Sequence, residues 1–429
     1  MKLKSSFAGI KLTDFMIVVI LVLMVLLVGY YYANNQARNQ LWLSTYPIRA
    51  KLSLTNLSCS ANSPSWMAEV LRHQTQQGDA PSNQIAYIDA QGQTHHCHNG
   101  YVDKYPLISE AVTADTRYRY ASVTKLWTAD ATLSLIRQGK LTLDTPLVSI
   151  LTQIDQPKDA RVNDITIRQL LLHQGGFDRY GMFANDMFGI GEDICPNHIN
   201  KMNDIKLNFD PGSQSSYSNL GYCLLGEVVA TLNQQPHQAP SYQDSIIKQY
   251  QLNQTHLRFI SNAAMEDEVF YNHVETGITG LGDIYTAFDY DGLASAAGLS
   301  GNAIDLAEQV KAMIAQPEPN VLSMGDNHAC EAIKTNSYQP HGSHSNSNNN
   351  NSDGNSHHGD DDKCHGYGTV AFRHAPNGSI MYYRDGALPG LRTSVIITQH
   401  GEIVALLSNG RGKEDGSQQL IKKIVKNLE

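Results

Sequence analysis

Residues 15–32 read FMIVVILVLMVLLVGYYY, an apolar run with no charged side chain. As a helix rising 1.5 Å per residue it spans roughly 27 Å, the depth of a bilayer's hydrocarbon core. A helix with no polar face cannot lie on the surface of a water-soluble domain. The run therefore divides the 429-residue chain into two unequal parts before any other feature is considered. Lys2, Lys4 and Lys11 precede it, and the first basic residue after it is Arg38. That asymmetry puts a short tail, residues 1–14, in the cytoplasm and everything beyond the run outside it. The three closing tyrosines suit the membrane–water interface. A cleaved signal peptide fits less well, because the run exceeds a usual signal core and YYYANNQA is a poor cleavage site.

An exported domain allows disulfides. All six cysteines (Cys59, Cys97, Cys195, Cys223, Cys330, Cys364) lie beyond the run, and none forms a Cys-x-x-Cys pair, which argues against zinc and thioredoxin-like chemistry. Six cysteines permit fifteen pairings. Sequential pairing is the simplest expectation: Cys59–Cys97, Cys195–Cys223 and Cys330–Cys364. The net charge is −9, from 32 basic and 41 acidic residues. No basic block or aromatic-interleaved basic patch is present, so nucleic-acid binding has no support.

Residues 33–60 are polar without clear periodicity and read as a tether. Residues 61–429 read as one domain. A helix starts near Ser63-Pro64, and IAYIDAQGQTHHCHNG reads as a hairpin turning at Gln91-Gly92. Helical patterns follow from Ser122 to Gln138, with Gly139 as cap, and in ITIRQLLLHQGG, NLGYCLLGEVVATLN and AIDLAEQVKAMIAQ. The C-terminal third returns to strands (TVAFRHA, SIMYYRD, TSVIITQ, EIVALLSN) and closes on the amphipathic QQLIKKIVKNLE. Strands at both ends with helices between predict an α+β fold, an antiparallel sheet built from sequence-distant pieces and flanked by helices. Residues 341–363, HGSHSNSNNNNSDGNSHHGDDDK, are too polar to bury surface and read as a disordered insert between Cys330 and Cys364. Their histidines and aspartates offer metal ligands, but a solvated loop is the simpler reading.

Three short motifs carry the chemistry. Ser122 and Lys125, in YASVTK, stand three apart at the start of a helical run, so they share a face. An amine there can take the proton of an attacking serine, and the helix start supplies N–H groups for the oxyanion. Ser245 and Lys248 repeat the spacing in a polar stretch and read as a chance match. Tyr217-Ser218-Asn219 precedes another helix. A tyrosine beside the serine–lysine pair can act as base if positive charge lowers its pKa, and an asparagine can hold both the lysine and a substrate amide. Tyr32-Ala33-Asn34 repeats this pattern at the membrane edge without the context. Finally, Arg384-Asp385-Gly386-Ala387 ends a strand before Pro389-Gly390. A glycine there lets a substrate lie against the strand edge, with the Ala387 N–H pointing at it. His173, in LLLHQGG, reads as a helix-end residue of structural importance.

In this order the motifs resemble those of the class C β-lactamase and penicillin-binding serine hydrolase family. The resemblance runs from about residue 65 to 428 and takes in YASVTK, GKLTLDTPL, ITIRQLLLHQGGF, FDPGSQSSYSN, AAGLSGNAIDLA and DGALPG. It implies a β-lactamase/transpeptidase-like fold with a helical subdomain. It implies Ser122, Lys125 and Tyr217 as catalytic groups, and Asn219, Arg384, Gly386 and Ala387 as substrate-binding ones. The family's strand motif has Lys or His where this chain has Arg384. Arginine keeps the charge but does not release its proton, so charge stabilisation or carboxylate binding survives and proton shuttling does not. Asp385 replaces a small residue and is a possible partner for Arg384. The resulting expectation is a single-pass serine hydrolase of a bacterial inner membrane, catalytic domain periplasmic. It would act through an acyl-enzyme on an ester or amide such as a β-lactam, a D-amino-acid peptide or another peptidoglycan-like acyl donor, with no cofactor or metal. The alternative is a non-catalytic binding protein on the same fold.

Overall fold

The structure, a computed structural model, describes residues 12–77, 80–103, 109–178, 194–234, 240–271, 284–285, 288–335, 364–373, 378–388, 390–410 and 423–428. The strands are β1 (Ser58–Cys59), β2 (Asn83–Ile88), β3 (Thr94–Asn99), β4 (Tyr118–Arg119), β5 (Arg258–Phe259), β6 (Leu299–Gly301), β7 (Cys364–His365), β8 (Val370–Arg373), β9 (Ile380–Leu388), β10 (Leu391–Thr398) and β11 (Ile403–Ser408). Eight of them form one sheet in the order β1-β3-β2-β11-β10-β9-β8-β7, and β4-β6-β5 form a small second sheet. Neighbouring strands in both sheets run antiparallel.

The centre of the large sheet joins the two ends of the domain. β2 pairs with β11 from Ile88 opposite Ile403 to Asn83 opposite Ser408. Both strands are buried throughout, so side chains on both faces find apolar partners. On one face Ile85, Cys97, Ile396, Val404 and Leu406 pack with Met67, Val70 and Leu71 of helix Ser65–Gln77 and with Ile424 and Val425. On the other, Ala86, Ile88, Val395, Ile397, Ala405 and Leu407 join the main core. That core includes helices Lys125–Arg137, Asn219–Leu232 and Ala303–Ile314. The period-2 alternation of a strand and the 3.6-residue period of a helix meet along this interface.

The three sequential disulfides are present: Cys59–Cys97, Cys195–Cys223 and Cys330–Cys364. The first joins residues directly opposite in the β1–β3 register. One other expectation needs correction. The stretch read as a tether is helical over Asn35–Ser53, and Tyr46 and Ala50 are buried, with the Tyr46 hydroxyl donating to the Thr75 carbonyl. Its polar composition hid a helix whose described side chains Tyr46 and Ala50 pack into the domain. The expected membrane span lies in helix Leu12–Ala33. Among the described residues no helix qualifies as long and apolar enough to cross a membrane. The insert 341–363, Pro389 and half of the closing amphipathic segment lie outside the described residues.

Candidate active site

Ser122 stands in a 3-10 turn, Ala121–Thr124, that leads into helix Lys125–Arg137. The serine thus precedes the α-helix instead of opening it. Ala121 has φ +46°, in the left-handed region that costs a side-chain-bearing residue about 1–2 kcal/mol. Bonds around it hold this turn. The Tyr120 N–H donates to the Leu299 carbonyl (2.8 Å), and its hydroxyl donates to the Asn302 carbonyl (2.7 Å). The Leu299 N–H donates to Thr124 Oγ1 (3.1 Å). Just upstream, Arg119 Nε donates to Glu268 Oε1 (2.5 Å), and both side chains are fully buried. The Arg119 guanidinium also lies 4.7 Å and 4.8 Å from the ring centres of Tyr285 and Tyr290.

Strand β9 closes the turn from the other side. A Cβ at Gly386 would sit 2.3 Å from the Tyr120 carbonyl oxygen and 2.9 Å from the Ser122 nitrogen. The glycine is therefore demanded by the chain's own turn at Ser122. Ala387, next along the strand, is exposed beside that close approach.

The sequence-predicted groups converge. Tyr217 Oη and Ser122 Oγ share a 2.7 Å hydrogen bond. Lys125 Nζ is 3.5 Å from Ser122 Oγ, and it donates to Asn219 Oδ1 (2.6 Å) and the Ala296 carbonyl (2.9 Å). Lys125 is fully buried, and its Nζ stands 4.9 Å from the centre of the Tyr217 ring. Asn219 is the first residue of helix Asn219–Leu232, which Ser218 caps by accepting from the Gly221 N–H (3.1 Å). At 2% exposure, Asn219 meets the lysine more directly than it meets the open cleft. Ser245 and Lys248 fall on helix Tyr242–Gln249, apart from these contacts.

Arg384 departs from the sequence reading in its orientation. It is 5% exposed, and its Nε donates to the Ser122 carbonyl (3.2 Å). Its guanidinium carbon lies 5.7 Å from the ring centres of both Tyr217 and Tyr222. The side chain is thus turned toward the Ser122 turn, with its Nη2 buried and without a hydrogen-bond partner among the described residues. Neighbours on a strand point to opposite faces, so Asp385 is directed away from the face Arg384 occupies. Burial pushes the Tyr222 hydroxyl up to about 12 even with Arg384 nearby.

Sequence reasoning gave His173 no part in this site. It is buried against Tyr217, Tyr222 and His365, with ring centres 4.7, 5.0 and 5.8 Å away. Burial, with Arg384, His365 and Lys125 adding to it, holds its pKa well below the usual histidine range. The LLLHQGG pattern signals a helix end but says nothing of what packs on the imidazole. Among the described residues no cluster of three or more metal-ligating side chains occurs.

A serine–lysine–tyrosine cluster with its lysine fully buried, set between helices and an antiparallel sheet, is the arrangement of serine hydrolases of the β-lactamase fold. The beta-lactamase family profile matches residues 67–426, and the chain belongs to that family. Among its relatives is a Dichelobacter nodosus protein bearing the name fimbrial assembly protein FimD, serogroup D, assigned as putative. It is 27% identical over 385 residues, covering 89% of this chain and 88% of that protein. Among solved structures, a class C beta-lactamase superposes with a TM-score of 0.63 at 15% identity, covering 86% of this chain and 99% of that one. A D-alanine carboxypeptidase AmpC from Burkholderia cenocepacia gives 0.61 at 16% identity, covering 85% and 98%. At such identities the structural likeness concerns the fold alone.

Proposed function

We propose that this protein hydrolyses an ester or amide through an acyl-enzyme on Ser122. The observation that carries the reading is the 2.7 Å contact between Tyr217 Oη and Ser122 Oγ, with Lys125 Nζ buried alongside. Ser122 Oγ attacks the acyl carbon, and its proton passes to the Tyr217–Lys125 pair. One fixed cation, the Arg384 guanidinium, stands 5.7 Å from the centre of the Tyr217 ring and favours negative charge on the phenol oxygen as the proton moves within the pair. Lys125 donates to two acceptors, Asn219 and Ala296, which leaves the lone pair of a neutral amine for the serine side. The oxyanion sits between the N–H groups of Ser122 and Ala387. The held proton then goes to the leaving alcohol or amine. Water, deprotonated by Tyr217, adds to the acyl carbon and releases the acid.

The substrate belongs to the β-lactam, D-amino-acid peptide and simple ester group, and the domain works in a bacterial periplasm. Helix Leu12–Ala33 holds it in the inner membrane. Support comes from the exposure of its apolar residues from Phe15 to Val28 and of Tyr30, a surface costly to leave in water. The reading is tested by mass spectrometry of the protein after incubation with a fluorophosphonate and, separately, a penicillin. The expected adduct is on Ser122 and is absent from Ser122→Ala. An adduct on Ser245, or hydrolysis surviving Ser122→Ala, overturns the mechanism. No adduct with either reagent favours a binding protein on the same fold.

A further inference from the structure

We infer that His173 is a positioning residue for Tyr217, a role that rests on the function proposed above. Its backbone carbonyl accepts from the Ser216 N–H (2.8 Å), and its ring Nδ1 accepts from the Ser218 N–H (3.2 Å). One residue thus fixes the main chain immediately before and immediately after the tyrosine. The imidazole also packs on the phenol, at 4.7 Å between ring centres. The clamp reaches further, because Ser218 is the cap of the helix whose first residue, Asn219, holds Lys125.

The clamp needs a left-handed backbone and a neutral ring. His173 has φ +58°, which turns the chain back so that its carbonyl and its own side chain both face residues 216–218. An imidazole accepting at Nδ1 carries its proton on Nε2. A second proton on Nδ1 would face the Ser218 N–H and break the bond. Burial favours the neutral form, and so do Arg384 on β9, His365 on β7 and Lys125 at the start of its helix, while the Tyr217 and Tyr222 rings pack on the imidazole. Its Nε2 is buried with no hydrogen-bond partner among the described residues. An unsatisfied buried N–H is a burden that an apolar filler would avoid. A histidine at this place is explained by the acceptor it offers, not by packing.

The experiment uses the full chain with His173→Gly and His173→Asn. Glycine and asparagine both tolerate φ > 0, so backbone strain does not separate them. Asparagine keeps a side-chain acceptor near the Nδ1 position, and glycine has none. Expected for His173→Gly is a fall of about 10- to 100-fold in the fluorophosphonate labelling rate of Ser122 and in kcat on a short p-nitrophenyl ester, with KM little changed. His173→Asn should recover most of the loss. In a Tyr217→Phe background, His173→Gly should cost nothing further. Equal factors in both backgrounds, or a glycine variant that melts earlier but labels at the wild-type rate, overturn the clamp. If the glycine variant does not fold, His173→Ala is compared with wild type instead, since histidine and alanine both carry a Cβ at this positive φ. Failure of wild-type protein to label at Ser122 would instead overturn the function on which the clamp rests.

Discussion

Replacing Gly386 by alanine places a methyl carbon 2.3 Å from the Tyr120 carbonyl oxygen, 2.9 Å from the Ser122 nitrogen and 3.1 Å from the Val123 nitrogen. All three are backbone atoms, so no flexible side chain can swing away. Reaching an ordinary contact near 3.4 Å requires a displacement of about 1 Å of either the strand or the turn. The strand is held through its β10 register, with Gly386 opposite Thr393 and Ala387 opposite Arg392. The turn already carries Ala121 at φ +46° and is the more yielding partner. Overpacking of this kind costs about 1–3 kcal/mol, which is a fall of roughly 2–4 °C in Tm for each kcal/mol in a domain of a few hundred residues. Activity should fall more steeply. A ~1 Å displacement of a nucleophile costs on the order of 100-fold, and here it would spoil a 2.7 Å contact. The assay pairs kcat/KM on an ester and the fluorophosphonate labelling rate with thermal melting. Gly221→Ala is the control, because its added methyl meets nothing closer than 3.7 Å. A Gly386→Ala protein that keeps the wild-type kcat/KM and Tm would refute the claim that β9 and the nucleophile turn are locked together.

Three further outcomes are expected. Arg384→Ala removes both the bond to the Ser122 carbonyl and a cation beside Tyr217, so kcat/KM should fall about 10- to 100-fold on neutral and acidic esters alike; a loss confined to acidic donors would show that the guanidinium binds substrate carboxylate after all. Glu268→Ala leaves the fully buried Arg119 without its carboxylate and should cost about 3–5 kcal/mol in urea unfolding, where a change below 1 kcal/mol would count against the pair as a support of the turn. Burial pushes the Glu227 carboxyl from 4.5 up to about 7, so the folded chain holds that proton longer than the unfolded one. Stability should therefore decline as pH rises from about 4.5 to 7, by up to about 3 kcal/mol, and then level off. Glu227→Gln should remove that decline, and an unchanged pH profile of urea midpoints would contradict the assignment.

Much of the site was legible because catalytic chemistry fixes local spacing. Ser122 and Lys125 are one helical turn apart, and Tyr217 and Asn219 flank a capping serine, so each pair is set by the backbone geometry of a few residues. The alternating apolar strands and the 3.6-residue helical stripes gave the α+β architecture for the same reason. The three disulfides followed from order along the chain, a guess the structure supports without the sequence having proved it. The helix over Asn35–Ser53 was not legible, because its polar composition conceals buried residues such as Tyr46 and Ala50.

What only the tertiary structure decided concerns contacts between distant segments. Sequence could say that Arg384 is a cation near the site; only the approach of β9 to residues 120–123 shows it turned inward to the Ser122 carbonyl. It could mark Gly386 as open space, but not that the chain's own turn fills it. It could place His173 at a helix end, but the Ser216 and Ser218 N–H groups that it binds lie more than forty residues away. Propensity and periodicity act over a few residues, whereas a side chain's direction, burial and partners are set when the sheet brings the two ends of the domain together. The residue types were therefore readable from the chain, and their roles awaited the fold.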